Sequence, residues 1–458
     1  MYQFGIKMKR LLLVAGDFVV FQLALVLTLL FRYGGLDTVT YESHLVPFSI
    51  LGAVWIVSFY IVGLYNLALT RDNLTFFRTF LEGMVINLLL ALGFFYLFPF
   101  FGIAPRTNLI LDFAFIMLLG YVWRLAYNKL LAPALFRNRI LFVGHANDAE
   151  RIHSLLQKSA MGFELAAVAE TAPGSRFDDG SITWHVDLNL IGQVLKERGI
   201  HTIVLGHRPD DIPGLRDSLY QTLFTPVTLV DRASLEETVT GRLPLEYVSQ
   251  TWFLEHLREQ DKIWYDSVKR IIDILLAIPF GLATLCIYPF VALATKIVSP
   301  GPVIYAQTRV GKHGRLFKLY KFRSMYLDSE KNGPQFTSSR QDPRVTPVGR
   351  IMRPLRIDEL PQIWNVIKGD LSFIGPRPER PEFVAPLVER MPFYALRHLT
   401  RPGLTGWAQV NLLDPTTTIE DNLKKLQYDL YYIKNRSPLF DVAILLKTVG
   451  IVLRRKGT

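Results

Sequence analysis

The chain has 458 residues, 50% of them hydrophobic, and a formal net charge of +11. That length holds about three folding units, and the hydrophobic share, high for a soluble chain, suggests a membrane protein with soluble parts. The positive charge suits acidic partners, either anionic lipid headgroups or phosphorylated substrates; no basic repeat, zinc-ligand spacing or RNA-binding aromatic motif supports nucleic acid.

Four apolar stretches in the first third are long enough to span a bilayer as helices of about 20 residues. They run Leu11–Phe31, Val46–Tyr65, Gly83–Ile103 and Leu109–Tyr127. Lys7, Lys9 and Arg10 precede the first, Arg71 and Arg78 separate the second and third, and Lys129, Arg137 and Arg139 follow the fourth. By the positive-inside rule both ends of this unit face the cytoplasm. No small-residue cleavage site follows the first run, so no cleavable signal peptide is expected. Asp17, Asp112 and Arg124 fall inside the spans. Intramembrane charges suggest transport; an internal pair or a snorkelling end is the plainer reading.

Residues 138–255 read as a soluble α/β unit. Strands are expected at Arg139–Gly144, Phe163–Ala169, His201–Leu205 and Val227–Val230, with helices at His145–Ser159 and Leu188–Arg198. That alternation predicts a parallel, Rossmann-like sheet. The first turn, GHANDAE, lacks the glycine fingerprint of dinucleotide sites, which leaves a regulatory or assembly role ahead of nucleotide binding.

Lys269-Arg270-Ile-Ile-Asp273 opens an apolar run to about Val298 that contains Pro279, Pro289 and the single cysteine, Cys286. One cysteine allows no intrachain disulfide. Proline bends a helix, and Lys269, Arg270 and Lys296 make both ends basic. A helix that enters one leaflet and returns fits these features, as does an ordinary kinked span. VIYAQTRVG and FKLYKFRSM then read as two strands around a loop with Gly311 and Gly314. Lys318, Lys321 and Arg323 can face phosphates or headgroups, or form a solvated face.

Residues 343–379, PRVTPVGRIMRPLRIDELPQIWNVIKGDLSFIGPRPE, carry the densest chemistry. Asp358-Glu359 follows Arg350, Arg353 and Arg356, and Arg377 stands between two prolines. Cations neutralise phosphoryl oxygens, and carboxylates hold Mg²⁺ or attack phosphorus. A solvated first helical turn is the bland alternative for such a pair. Pro361 suits the start of a helix through LPQIWNVIK, which Gly369 ends. Downstream, RPGLTGWAQVN suggests a tight loop, and Asp429 and Asp441 each sit among apolar and aromatic residues.

RIDELPQIWNVIKGDLSFIGPRPE resembles the central motif of the bacterial sugar transferase family, the monotopic phosphoglycosyl transferases. The likeness extends from Lys269 to about Leu446. It implies three regions: a four-helix transmembrane region at 1–137, a Rossmann-like domain at 138–255, and an α+β catalytic domain at 256–458 with a re-entrant helix at 268–298. The front half is also similar to that of membrane nucleotide-sugar dehydratases, and Tyr265-x-x-x-Lys269 mimics the catalytic pair of that class, but no TGxxGxxG precedes it. The family's helix breaks at a Ser-Pro pair; here Pro289 is the expected break. The family's G-R-N after A-Q-V is replaced by NLLDPTTT, and QVN…KLQYDLYYIKNRS resembles the exosortase-associated branch.

The resemblance implies transfer of a sugar-1-phosphate from a UDP-sugar to polyprenyl phosphate, with release of UMP, at the cytoplasmic face of the bacterial inner membrane. Asp358 is the implied nucleophile and Glu359 its partner in holding Mg²⁺. Arg353, Arg377, Lys321 and Arg323 are implied phosphate ligands, and Asp429 and Asp441 supporting carboxylates. The bilayer is a partner, and self-association is left open. A dehydratase or a non-enzymatic membrane scaffold or transporter are the competing readings.

Overall fold

A computed structural model of the chain describes residues 2–65, 73–97, 106–127, 138–159, 162–170, 190–208, 211–222, 225–330, 342–412 and 418–453. Arg71, Lys129 and Arg137, and the end of the third expected span, lie outside them. The chain divides into two compact units, Met1–Thr240 and Gly241–Thr458.

The first unit begins with helices α1 (Tyr2–Tyr33), α2 (Thr38–Val62), α3 (Asn73–Leu97) and α4 (Arg106–Ala126). Each contains a stretch long and apolar enough to cross a membrane. Asp37 caps α2, its carboxylate accepting the Thr40 N–H at 3.3 Å, and Gly63 ends it at φ +90°. Leu51, Trp55, Phe59, Phe80 and Met84 pack in the bundle's interior. Two of the three intramembrane charges pair there. Arg124 donates through Nε to Asp17 Oδ1 at 3.1 Å and through Nη2 to Oδ2, and Tyr65 donates to the same carboxylate at 2.7 Å. Asp112 is buried, and its Oδ1 has no hydrogen-bond partner among the described residues.

Further along the first unit, β1 (Asn138–Gly144), α5 (Ala146–Lys158), β2 (Phe163–Glu170), α6 (Ile191–Arg198), β3 (Thr202–Leu205), α7 (Leu215–Thr222), β4 (Thr228–Asp231) and α8 (Arg232–Thr240) alternate. The strands form one parallel sheet in the order β2-β1-β3-β4. Successive side chains of a strand face opposite ways, and both faces are covered. Leu141, Val143 and Ile203 pack with α6 and α7, whereas Ile140, Phe142 and Val204 pack with α5 and α8. Such double burial is why the strands are continuous apolar runs.

The second unit starts at Gly241, earlier than the expected boundary at residue 256. The Leu243 N–H donates to Gln427 O at 3.1 Å, Trp407 Nε1 to Gly241 O at 2.7 Å, and Phe253 packs on Phe393 with ring centroids 4.6 Å apart. These contacts bind the 241–255 stretch, including α9 (Gln250–His256), to the C-terminal third of the chain.

Helix α10 (Ile263–Val298) has 36 residues and contains both prolines. At 1.5 Å per residue it is ~54 Å long. Helical structure does not stop at Pro289; the helix continues to Val298. One face is apolar and open, with Leu285, Phe290, Leu293 and Ile297 exposed. The other face packs within the unit at both ends. Ala277 joins a cluster with Leu319, Ile363, Val366 and Leu371, and Val291 joins one with Val303, Phe322 and Met352.

The hairpin β5 (Ile304–Val310) and β6 (Leu316–Phe322) is antiparallel. Then come α11 (Pro347–Met352), a 3₁₀ turn at Ile357–Glu359, α12 (Gln362–Lys368), β7 (Ser372–Ile374), α13 (Pro381–Arg390), β8 (Gly403–Thr405), α14 (Trp407–Asn411), α15 (Ile419–Asn435) and α16 (Pro438–Leu453). Strands β7 and β8 are parallel. Gly369 ends α12 at φ +94°, as expected of a C-terminal glycine.

Candidate active site

The acidic pair sits on the 3₁₀ turn Ile357–Glu359. Arg356 precedes it at φ +56°, left-handed backbone that costs a side-chain-bearing residue about 1 kcal/mol or more and that clusters at functional sites. The turn directs the two carboxylates to different surroundings. Glu359 is held by three cations. Its Oε1 accepts from Lys321 Nζ at 3.1 Å and Arg377 Nη2 at 2.9 Å, and its Oε2 from Arg356 Nη1 at 3.3 Å. Burial alone would raise its pKa, but Lys321, Arg377 and Arg356 hold it well below the usual carboxylate range. Asp358 is 7% exposed, and its Oδ1 has no partner among the described residues. Burial pushes the Asp358 carboxyl up, against the pull of Lys321, and the neighbouring Glu359 pushes the same way.

The cations come from separate elements. Lys321 lies on β6, whose backbone is pinned by Asn365 of α12. That side chain accepts the Tyr320 N–H at 3.1 Å and donates to Lys318 O at 2.7 Å. Arg377 comes from the loop after β7. The Lys321, Arg356 and Arg377 side chains keep 25%, 40% and 34% exposure, against 14% for Glu359, so they remain reachable by an incoming anion. Arg353 also acts on Asp358 through its charge.

Two expected site residues stand elsewhere. Arg323 is buried at the exit of α10, donating to Pro300 O at 3.0 Å and Ser299 O at 2.5 Å. These bonds anchor the helix exit, and the Arg323 Nε is buried without a hydrogen-bond partner among the described residues. Asp441 accepts from Lys269 Nζ at 2.5 Å, Tyr265 at 2.6 Å and Tyr432 at 3.0 Å, which ties α16 and α15 to the start of α10. Asp429 does support an arginine, accepting from Arg397 Nη2 at 2.9 Å. Sequence reasoning placed Arg356 among the cations beside the acidic pair without assigning it to Glu359, and it missed Arg397 and Arg309. Only the first carried a local signal, three residues ahead of Glu359.

Residues 264–455 match the family model described as bacterial sugar transferase. The chain is 31% identical over 365 residues to the undecaprenyl-phosphate galactose phosphotransferase of Salmonella typhimurium, covering 72% of this chain and 70% of that one. The chain belongs to the bacterial sugar transferase family. It is also 40% identical over 263 residues to a UDP-N-acetylgalactosamine-undecaprenyl-phosphate N-acetylgalactosaminephosphotransferase of Aeromonas hydrophila, covering 56% of this chain and 59% of the relative. It is 29% identical over 393 residues to a UDP-glucose:undecaprenyl-phosphate glucose-1-phosphate transferase of Klebsiella pneumoniae, covering 81% and 80%.

Proposed function

We propose that the chain transfers a sugar-1-phosphate from a UDP-sugar to undecaprenyl phosphate and releases UMP, as the first membrane step of a glycan. One observation carries this reading: beside a carboxylate tied to three cations lies a second, buried carboxylate whose Oδ1 has no hydrogen-bond partner among the described residues. Asp358 attacks the β-phosphorus of the UDP-sugar. An Asp–O–P bond forms, the bond to the UMP oxygen breaks, and UMP leaves with the electron pair. An oxygen of undecaprenyl phosphate then attacks the same phosphorus and frees the carboxylate. Arg377, Lys321 and Arg353 neutralise the diphosphate. The relatives' names, which specify undecaprenyl phosphate and several sugars, support the reaction class.

Among the described residues no group of three or more His, Cys, Asp or Glu gathers as a metal cage. Mg²⁺ commonly takes one or two carboxylates together with substrate phosphates, and Asp358, whose Oδ1 is buried without a hydrogen-bond partner among the described residues, fits that pattern. Glu359, the other expected ligand, would have to give up one of its cations. When bound, Mg²⁺ would offset diphosphate charge.

Helix α10 is read as re-entrant, with the catalytic unit on the cytoplasmic face of the inner membrane. Support comes from its two ends. Lys269 and Tyr265 bind Asp441, and Val291 packs on Val303 and Phe322. Both ends are therefore held to one unit, which a straight crossing would separate. The parallel sheet of the first unit is assigned a Rossmann-like regulatory role, since its first turn lacks a glycine fingerprint.

The test is UMP release by the full chain in detergent or nanodiscs, given undecaprenyl phosphate with UDP-glucose, UDP-galactose or UDP-N-acetylgalactosamine. Release with one donor supports the transferase. No release with any donor favours the dehydratase or scaffold readings.

A further inference from the structure

Arg377 is useful only if its guanidinium stands where the phosphates arrive, and it lies on a loop rather than on a helix or strand. The flanking Pro376 and Pro378 fix their own φ and keep the residues before them extended. They leave ψ at Pro376 and Pro378 themselves unset, and with it the direction of those two carbonyls. The structure supplies the missing restraint. Four consecutive carbonyls of this loop each accept a hydrogen bond from another part of the unit. Pro376 O accepts the Gly403 N–H at 3.0 Å, Arg377 O accepts Arg397 Nη2 at 3.0 Å, Pro378 O accepts Arg309 Nη1 at 3.2 Å, and Glu379 O accepts the Val310 N–H at 2.9 Å.

The two middle donors are side chains, and they hold the carbonyl of Arg377 and that of the residue after it. Arg397 is 4% exposed and is itself fixed by Asp429 at 2.9 Å and by the Tyr394 hydroxyl at 2.6 Å. Arg309 Nη2 is bound to Gln307 Oε1 at 2.5 Å, and β6 holds its strand in register. A guanidinium offers several N–H groups in a rigid fork, so one side chain can join a buried carboxylate to a backbone carbonyl. Lysine has a single nitrogen on a flexible stem and cannot reproduce that geometry.

We propose that Arg397 and Arg309 are positioning residues of the transfer reaction: they clamp the carbonyls of Arg377 and Pro378 and thereby hold the Arg377 guanidinium against Glu359. Neither touches the reacting atoms, and each acts through Arg377. The proposal rests on the transferase reading above, in which Arg377 binds phosphate.

The experiment uses the full detergent-solubilised chain and the variants Arg397→Lys, Arg309→Lys, Arg377→Ala and Arg397→Lys/Arg377→Ala. Two readouts are taken. The first is kcat and KM for UMP release with whichever of the three UDP-sugars turns over. The second is amide hydrogen exchange at Gly403 and Val310, whose N–H groups donate to Pro376 O and Glu379 O of the loop, compared with strand β3 of the other unit. Positioning predicts that Arg397→Lys lowers kcat on the order of 10²-fold, the scale of a 1 Å misplacement, with a smaller effect on KM. It also predicts that the double variant is no slower than Arg377→Ala, because both changes remove the same contribution. Exchange at Gly403 and Val310 rises while β3 is unchanged.

Wild-type kcat in Arg397→Lys, or losses that combine in full in the double variant, overturn the proposal. If the wild type releases no UMP from any donor, the transferase reading fails instead, and the exchange data decide whether the clamp exists. If Arg397→Lys does not fold, Arg309→Lys carries both readouts.

Discussion

Glu379 gives the sharpest stability prediction. Its side chain is 15% exposed and pairs with Lys425, 13% exposed, and with Arg397 at 4.0 Å, 3% exposed. Burial alone would raise its pKa, but Lys425 and Arg397 lower it from the ordinary 4.5 to about 2. At ~1.4 kcal/mol per pKa unit, that depression stabilises the folded state by about 3 kcal/mol. Because the folded value lies below the unfolded one, the contribution is complete above about pH 4.5 and fades as pH falls towards 2. Glu379→Gln keeps the shape but removes the charge. For a unit the size of Gly241–Thr458, 3 kcal/mol corresponds to a drop of about 6–12 °C in midpoint. Thermal unfolding of the detergent-solubilised chain at a fixed scan rate measures it, with Glu382→Gln, 55% exposed, as the control. The deficit should be equal at pH 5 and pH 8. A shift no larger than the control's, or one that widens between those pH values, would refute the reasoning.

Asp358→Asn should abolish UMP release without loss of fold, and mass spectrometry of the wild type with UDP-sugar alone should reveal a phosphosugar adduct on Asp358; robust turnover by the Asn variant would remove the nucleophile assignment. Since burial raises the Asp358 pKa and attack needs the carboxylate, kcat/KM should fall on the acid side at a pH above the ordinary aspartate value of 3.8. A profile that stays flat down to that value contradicts it. On a Cys286→Ser background, Ser267→Cys lies in the first turns of α10, before its apolar run, and Glu389→Cys lies beyond the end of the helix. Both should resist an impermeant thiol reagent until the membrane is opened, whereas labelling of Glu389→Cys alone from outside would demonstrate a true crossing.

The helices and strands were legible because their causes are local. A bilayer demands a run of about 20 apolar residues, and doubly covered strands such as Ile140–Val143 must be apolar throughout. Gly369 and Pro361 marked the ends of α12 for reasons confined to their own backbone. The acidic pair and Arg377 were legible as a motif. The destinations of individual cations were not. Lys321 and Arg323 lie two residues apart on and just beyond β6, so they share a face in the sequence pattern, yet one meets Glu359 and the other the carbonyls of Ser299 and Pro300. The strand ends at Phe322, and the alternation no longer governs Arg323. The Arg397 and Arg309 contacts span 20 and 69 residues of sequence, a distance over which no spacing rule operates. The grouping of the 241–255 stretch with the second unit has the same kind of cause, its partners Phe393, Trp407 and Gln427 all coming much later in the chain.

Helix α10 has a consequence for how the protein is made. Ala277 and Val291 belong to the interior of the second unit, while Leu285 and Phe290 on the same helix face outward. The helix leaves the ribosome before β6, α12 or β7 exists, so its inward face must wait without its later partners until synthesis has passed Leu371. A lipid surface can shelter both faces during that interval, and water can shelter neither. The bilayer therefore serves the nascent chain as a temporary substitute for the missing half of the core. A version cut free of the helix would lose the first-laid wall of the unit as well as its attachment to the membrane.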